Sequence, residues 1–178
     1  MKICPMCSMI QFDFVEKKNP NVCMVPMCAF EDKPADQLTE KEINNLMGAY
    51  EYEKLEDGTY RILGVENLRD IGFRGPVALS QIVSEIDEDA MSHLKFMTII
   101  ELPQGLRSIG NEAFASCRDL FKVFIPKTVT SMGKGVFKNC YDLKRIQCEA
   151  ESMPEGWDPD WLEGCEATPV WGVSEFDV

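Results

Sequence analysis

LPQGLRSIGNEAFASCRDLFKV, residues Leu102–Val123, decides the fold, because its pattern recurs on both sides at a spacing of 23 residues. IPKTVTSMGKGVFKNCYDLKRI, Ile125–Ile146, follows it, and LSQIVSEIDEDAMSHLKFMTII, Leu79–Ile100, precedes it as a looser copy. A further start stands at Ile146-Gln147-Cys148. The matching columns are almost all apolar: Leu79/Leu102/Ile125/Cys148, Val83/Leu106/Val129, Ile86/Ile109/Met132, Met91/Phe114/Phe137 and Met97/Leu120/Leu143. A lone coil cannot bury its own apolar face, so columns of this kind are expected where coils stack on a shared interior.

Each coil has a legible anatomy. Leu120 to Ile125 ends in period-two alternation, which suits a short strand, and Pro126 closes it because proline cannot donate to a ladder. Gly110 to Cys117 reads as a tight turn followed by one or two helical turns, and Gly133 and Gly135 mark the same bend one coil on. The expected fold is therefore an α/β, right-handed solenoid of short parallel strands and short helices, with a small Cys-rich cap.

The pattern Leu-Pro-x-x-Leu-x-x-Ile-Gly-x-x-Ala-Phe-x-x-Cys-x-x-Leu-x-x-Val resembles the BspA-like, Treponema-type leucine-rich repeat. Residues 102–123 match it nearly column for column, 125–146 carry Met132 and Val136 in place of Ile and Ala, and 79–100 are degenerate. The segment from Cys148 through Trp157 and Trp161 to Gly172 is similar to the tail of such proteins, and Gly58-Thr59-Tyr60-Arg61-Ile62 to the strand that begins them. The resemblance implies a solenoid presenting a binding face for another protein, as family members do in protein–protein and cell-surface contacts.

The flanks divide the chain into a Cys-rich cap at 1–35, a capping helix and hairpin at 36–75, the repeats at 76–148 and an acidic, Trp-rich cap at 149–178. Thr39 and Glu42 fit a capping box, with Ile43, Leu46, Met47 and Tyr50 on one helical face to close the open end of the solenoid. Tyr50–Leu55 and Thr59–Leu63 around Asp57-Gly58 read as a hairpin. At the other end Trp157, Trp161 and Trp171 are expected to seal the last coil, with Asp158-Pro159 starting a helix.

Residues 1–35 hold four Cys and five Met without a repeat. Cys4-x2-Cys7 and Cys23-x4-Cys28, fifteen residues apart, can supply four thiolates to a structural zinc ion, which would stabilise a segment too small for a core. Ile10 to Val15 would be a strand of that ribbon. Two other readings stay open: cysteines that simply pack on the first coil, and a redox dithiol at Cys4-Pro5-Met6-Cys7.

The net charge of −12 is uneven: nine Lys/Arg against seventeen Asp/Glu in 1–94, nine against four in 95–145, and none against nine in 146–178. An acidic whole argues against nucleic-acid binding, which needs a dominant basic face. No apolar run reaches the roughly 20 residues of a membrane span, and Met1 to Cys7 offers no signal-peptide core, so a cytoplasmic protein is expected. The single histidine, His93, has no nucleophile and acid arranged around it, and no phosphate loop or nucleophile elbow occurs, so no catalytic residues are assigned. Cys117 and Cys140 fall in the inward column.

Alternation instead places Thr98, Ile99, Glu101, then Phe121, Lys122, Phe124, then Lys144, Arg145, Gln147 on the outer side of the strands. The expected binding surface is Ile99, Glu101, Phe121, Lys122, Phe124, Lys144 and Arg145, apolar residues ringed by positive charge, unless the N-terminal cap or a second copy in a homo-oligomer covers them. A thiol-dependent redox enzyme using the CxxC, or an acidic inhibitor mimicking nucleic acid through 149–166, are the alternative functions.

Overall fold

The structure, a computed structural model, describes residues 2–3, 10–11, 38–47, 50–65, 75–95 and 97–174. In chain order these form β1 (Lys2–Ile3), β2 (Ile10–Gln11), α1 (Glu40–Met47), β3 (Glu51–Lys54), β4 (Tyr60–Gly64), β5 (Gly75–Ala78), β6 (Val83–Ile86), β7 (Met97–Glu101), β8 (Ser108–Ile109), β9 (Lys122–Ile125), β10 (Ser131–Met132), β11 (Arg145–Cys148) and β12 (Pro169–Val170). Each repeat contributes one strand to each of two sheets. One runs β12-β11-β9-β7-β5 and is parallel throughout; the other runs β10-β8-β6-β4-β3 and is parallel except for the β3–β4 hairpin. Register follows the sequence period: Ile100 pairs with Val123 and Val123 with Ile146.

The core is the set of repeat columns. Leu79, Leu102, Ile125 and Cys148 are all buried, as are Val83/Leu106/Val129, Ile86/Ile109/Met132, Met91/Phe114/Phe137 and Met97/Leu120/Leu143. Phe114 and Phe137 stack with ring centroids 5.6 Å apart, and Trp161 continues the column edge-on at 6.2 Å from Phe137. Trp157, Trp161 and Trp171 pack on one another, and the Trp157 indole N–H donates to the Val129 carbonyl at 2.9 Å, so the last coil is sealed by aromatic area with its polar handle satisfied. At the other end Met47 of α1 is buried and Ile43 and Tyr50 pack on the same core. The hairpin turns at Asp57-Gly58, where Gly58 has φ 84° and Leu55 N–H donates to Thr59 O at 2.8 Å.

The helices expected within the repeats do not form: among the described residues α1 is the one α-helix, and it precedes the repeats. The third side of each coil is instead a run of turns. Glu112, Phe114 and Ser116 N–H groups donate to Lys134, Val136 and Lys138 carbonyls at 2.9, 2.9 and 2.7 Å, and one coil earlier Asp89, Met91 and His93 donate to Asn111, Ala113 and Ala115. A helix would spend those donors on its own preceding turn. Here two residues four apart in each coil take positive φ, Asp89, Glu112 and Gly135 in one column and His93, Ser116 and Asn139 in another, at either end of the run whose N–H groups point along the stack. Coil-to-coil pairing therefore replaces helical pairing, at a cost of about 1–2 kcal/mol for each non-glycine residue in the left-handed region. Asp158-Pro159 likewise opens turns rather than a helix, with Asp160 N–H donating to Asp158 Oδ1 at 2.8 Å.

Glycine is required where coils touch by backbone. A Cβ on Gly133 would lie 2.5 Å from Asn111 N, and Gly110 meets the Glu88 backbone in the same way.

Candidate interaction surface

The outer side of the β12-β11-β9-β7-β5 sheet aligns Ile99, Lys122 and Arg145 in one row and Glu101, Phe124 and Gln147 in the next. The expected solvent-facing patch is only partly there. Lys122 is 3% exposed, Phe124 4%, and Gln147 is also buried; Lys122 and Phe124 both have interaction partners. Ile99 and Glu101 are half-buried, and burial raises the Glu101 carboxyl above its ordinary range. Alternation fixes which side of a sheet a residue leaves from, and the middle of this side is covered. Lys122 and Phe124 are thus withdrawn from the accessible surface.

What remains open is the rim where the chain enters the strands. Phe121 is 44% exposed, and Lys144 and Arg145 are exposed one coil on. The Arg145 guanidinium sits 5.9 Å from the Phe121 ring centroid, a cation–π contact that holds the charge over the ring. Backbone bonds fix the rungs: Phe121 N–H donates to Thr98 O at 2.7 Å and Lys144 N–H to Phe121 O at 3.0 Å. Three further residues join the rim that the strand-based reading missed. Lys95, Arg118 and Tyr141 form the column three residues before Thr98, Phe121 and Lys144, and all three are exposed, Tyr141 at 64%. The Tyr141 hydroxyl donates to Asn139 Oδ1 at 3.3 Å, and Lys144 Nζ to the Tyr141 carbonyl at 3.3 Å. The signal was present in the sequence as a Lys/Arg/Tyr column at the repeat spacing.

Five cations elsewhere on the hairpin and coils are matched by carboxylates. Arg61 meets Glu53 and Glu85 at 2.6 Å each, Arg107 meets Asp57 at 2.6 Å, Lys138 meets Glu112 at 2.6 Å, Lys127 meets Glu149 at 3.2 Å, and Lys134 lies within 3.4 Å of both Asp160 and Glu163. Hydrogen bonds from Thr59 and the nearby Arg107 hold Asp57 down to about 2. Among the described residues Lys95, Arg118, Lys144 and Arg145 have no carboxylate at such a distance. Three of the tail carboxylates, Glu149, Asp160 and Glu163, are therefore engaged within the molecule.

The thiols of the repeats are structural. Cys117 Sγ donates to Met91 O at 3.3 Å and Cys140 Sγ to Phe114 O at 3.2 Å, one coil back in each case. Burial pushes Cys117 far up and Cys140 and Cys148 to about 12, so they stay protonated and unreactive. His93 is exposed in a left-handed turn. Cys4, Cys7, Cys23 and Cys28 lie outside the described residues. The flanking β1 and β2 pair antiparallel, Lys2 with Gln11 and Ile3 with Ile10. Among the described residues no group of three or more His, Cys, Asp or Glu is arranged to hold a metal ion, and no helix is long and apolar enough to cross a membrane.

With this geometry in place, residues 67–154 match the family of the BspA type leucine rich repeat region, in six copies. Among solved structures the chain is similar to a leucine rich cell surface protein from Faecalibacterium prausnitzii, at 26% identity and TM-score 0.48, over 65% of this chain and 30% of that one. It is also similar to leucine-rich repeat proteins from Bacteroides ovatus (23% identity, TM-score 0.45, 53% of this chain and 24% of that one) and Bacteroides capillosus (23%, 0.45, 70% and 94%). The chain thus spans less than a third of the length of the first two. No curated protein matches it.

Proposed function

Since residues 67–154 form a BspA-type leucine-rich-repeat region, we propose that this chain is a non-enzymatic interaction module that binds another protein through the strand-entry rim of its repeats. The observation that carries the reading is the concentration of Lys95, Arg118, Lys144 and Arg145, all exposed and without carboxylate partners among the described residues, around exposed Phe121 and Tyr141. In a chain of net charge −12, four cations gathered on one rim give that rim a local charge opposite in sign to the whole. Aromatic and Arg side chains are the usual anchors of protein interfaces. The test is capture of partner proteins from extracts of the cells that make the chain, comparing wild type with Phe121→Ala and with Lys144→Glu/Arg145→Glu. The rim variants are expected to lose specific partners while keeping the wild-type unfolding curve; an unchanged set of captured proteins would remove the rim from the proposal.

A structural zinc ion held by Cys4, Cys7, Cys23 and Cys28 is a separate proposal. The pairing of β1 with β2 on either side of Cys4 and Cys7 supports it, because a short hairpin is a common way to present two thiolates to one ion. Metal analysis of the purified protein is expected to give about one zinc per chain, lost on Cys23→Ser/Cys28→Ser. Metal-free protein that reduces a model disulfide would favour the dithiol instead.

A further inference from the structure

We propose that the rim selects a partner by an acidic, extended segment whose carboxylates recur at alternate residues. This rests on the interaction reading above and adds the chemistry of the ligand. The rim presents three successive rungs: Lys95 with Thr98, Arg118 with Phe121, and Tyr141 with Lys144 and Arg145, the backbone bonds from Phe121 to Thr98 and from Lys144 to Phe121 fixing their order. Neighbouring parallel strands lie ~4.8 Å apart, so the three rungs cover roughly 10 Å. Alternate carboxylates of an extended chain are ~7 Å apart, a spacing that lets two of them reach cations on different rungs.

The side chains are of the right kind. Arg118 and Arg145 can each take a carboxylate by two parallel N–H donors. Arg145 is held over the Phe121 ring and Lys144 is tied to the Tyr141 carbonyl, so part of the ordering that a surface charge pair ordinarily demands is already in place. Phe121 and Tyr141 leave apolar surface between the charges for the stems of the incoming side chains. The rim has acidic members too: Asp142 is exposed beside Tyr141, Asp119 has contacts of its own, and Glu166 lies near enough to Lys144 for both to act on Cys165. They limit the rim to a short acidic segment. A nucleic acid is disfavoured, because four cations along so short a strip neutralise few phosphates while the chain as a whole, at −12, repels the remainder.

The test is fluorescence anisotropy of a labelled peptide of about ten residues alternating Glu and Ser, with the full chain as titrant and an oligonucleotide of equal charge as comparator. Saturable binding of the peptide is expected, weakening steeply with salt because the charges are exposed. Lys144→Glu/Arg145→Glu should weaken it by about tenfold or more, which is the loss of about 1.4 kcal/mol. Lys144→Gln/Arg145→Gln should weaken it less, and Lys41→Glu/Lys54→Glu, charge reversals far from the rim in sequence, should leave it unchanged. Equal binding by the rim variants, stronger binding of the oligonucleotide, or no saturable binding of the peptide would each overturn the acidic-segment assignment. If the peptide fails while the rim variants still lose captured proteins, the rim stands and the ligand class is wrong; if capture is also unaffected, both fall.

Discussion

Along the β10-β8-β6-β4-β3 sheet Arg61 reaches Glu53 and Glu85, and Arg107 reaches Asp57, with Thr59 and Ser84 hydroxyls 2.6 Å apart between them. At the rim of the other sheet Lys95, Arg118, Lys144 and Arg145 stand exposed with no carboxylate at such a distance among the described residues. Both sets sit on the same stack of coils and are repeated by the same period. The first set spends its charge inside the molecule, where it ties the hairpin to the coils behind it. The second forms no ion pair among the described residues, and charge without a carboxylate partner is what an external ligand can use. The stack is common to both, so breaking the stack should abolish the distinction, and breaking either set should reveal it.

The largest effect is expected from the stack itself. Phe137→Ala removes a fully buried ring that touches Phe114 and Trp161, and should cost about 3–5 kcal/mol in urea unfolding. Gly133→Ala should cost about 1–3 kcal/mol, because its Cβ would press on the Asn111 backbone of the preceding coil. Loss of stability below half of these figures would mean that the coils are less closely coupled than their ladder implies. In the opposite direction, Asn139→Gly relieves a side chain held at φ 60° and should stabilise by up to about 1 kcal/mol.

How much of this could be read beforehand depended on range. Leu79, Leu102 and Ile125 declared a shared interior because the burial of each answers to residues one period away, a regularity that a sequence displays directly. The hairpin at Asp57-Gly58 was equally legible, since its turn is decided by residues in contact along the chain. The turns at Gly110 to Cys117 were not. Ala113, Phe114 and Ala115 are compatible with helix, and the competing acceptors, the carbonyls of Lys134, Val136 and Lys138, belong to another coil. Local propensity has no access to that competition. The exposure expected of the binding face was met only in part for a related reason: alternation sends Lys122 and Phe124 outward, but whether outward means solvent depends on what covers the sheet. Phe121, Lys144 and Arg145 kept their exposure because they enter at the strand ends, and Lys95, Arg118 and Tyr141 went unnoticed because they precede the strands.

Acid provides a smaller test of the self-paired set. Asp57 is held at about 2 against an ordinary 3.8, so its contribution is full above the unfolded value and is lost as pH falls through that window toward about 2. The stability difference between wild type and Asp57→Asn should therefore shrink as the pH of urea unfolding is lowered from 5 to about 2. A difference that stays constant across this range would show that the Arg107 and Thr59 contacts do not stabilise the carboxylate.

The smallest effect is the one that separates the two sets. Lys144→Glu/Arg145→Glu alters exposed side chains with no carboxylate partner among the described residues, so apart from the ring contact of Arg145 the unfolding free energy should move by no more than about 0.5 kcal/mol. Arg145 does contribute a cation–π contact to Phe121, and for an exposed pair that is worth about 0.5–1 kcal/mol at most. Phe121→Leu separates the two contributions, removing the ring while keeping apolar volume, and if the double reversal on that background costs nothing further, any loss in wild type belongs to the ring contact alone. A rim reversal that destabilised the fold well beyond these limits on both backgrounds would mean that Lys144 and Arg145 are structural after all. The contrast between spent and unspent charge would then disappear.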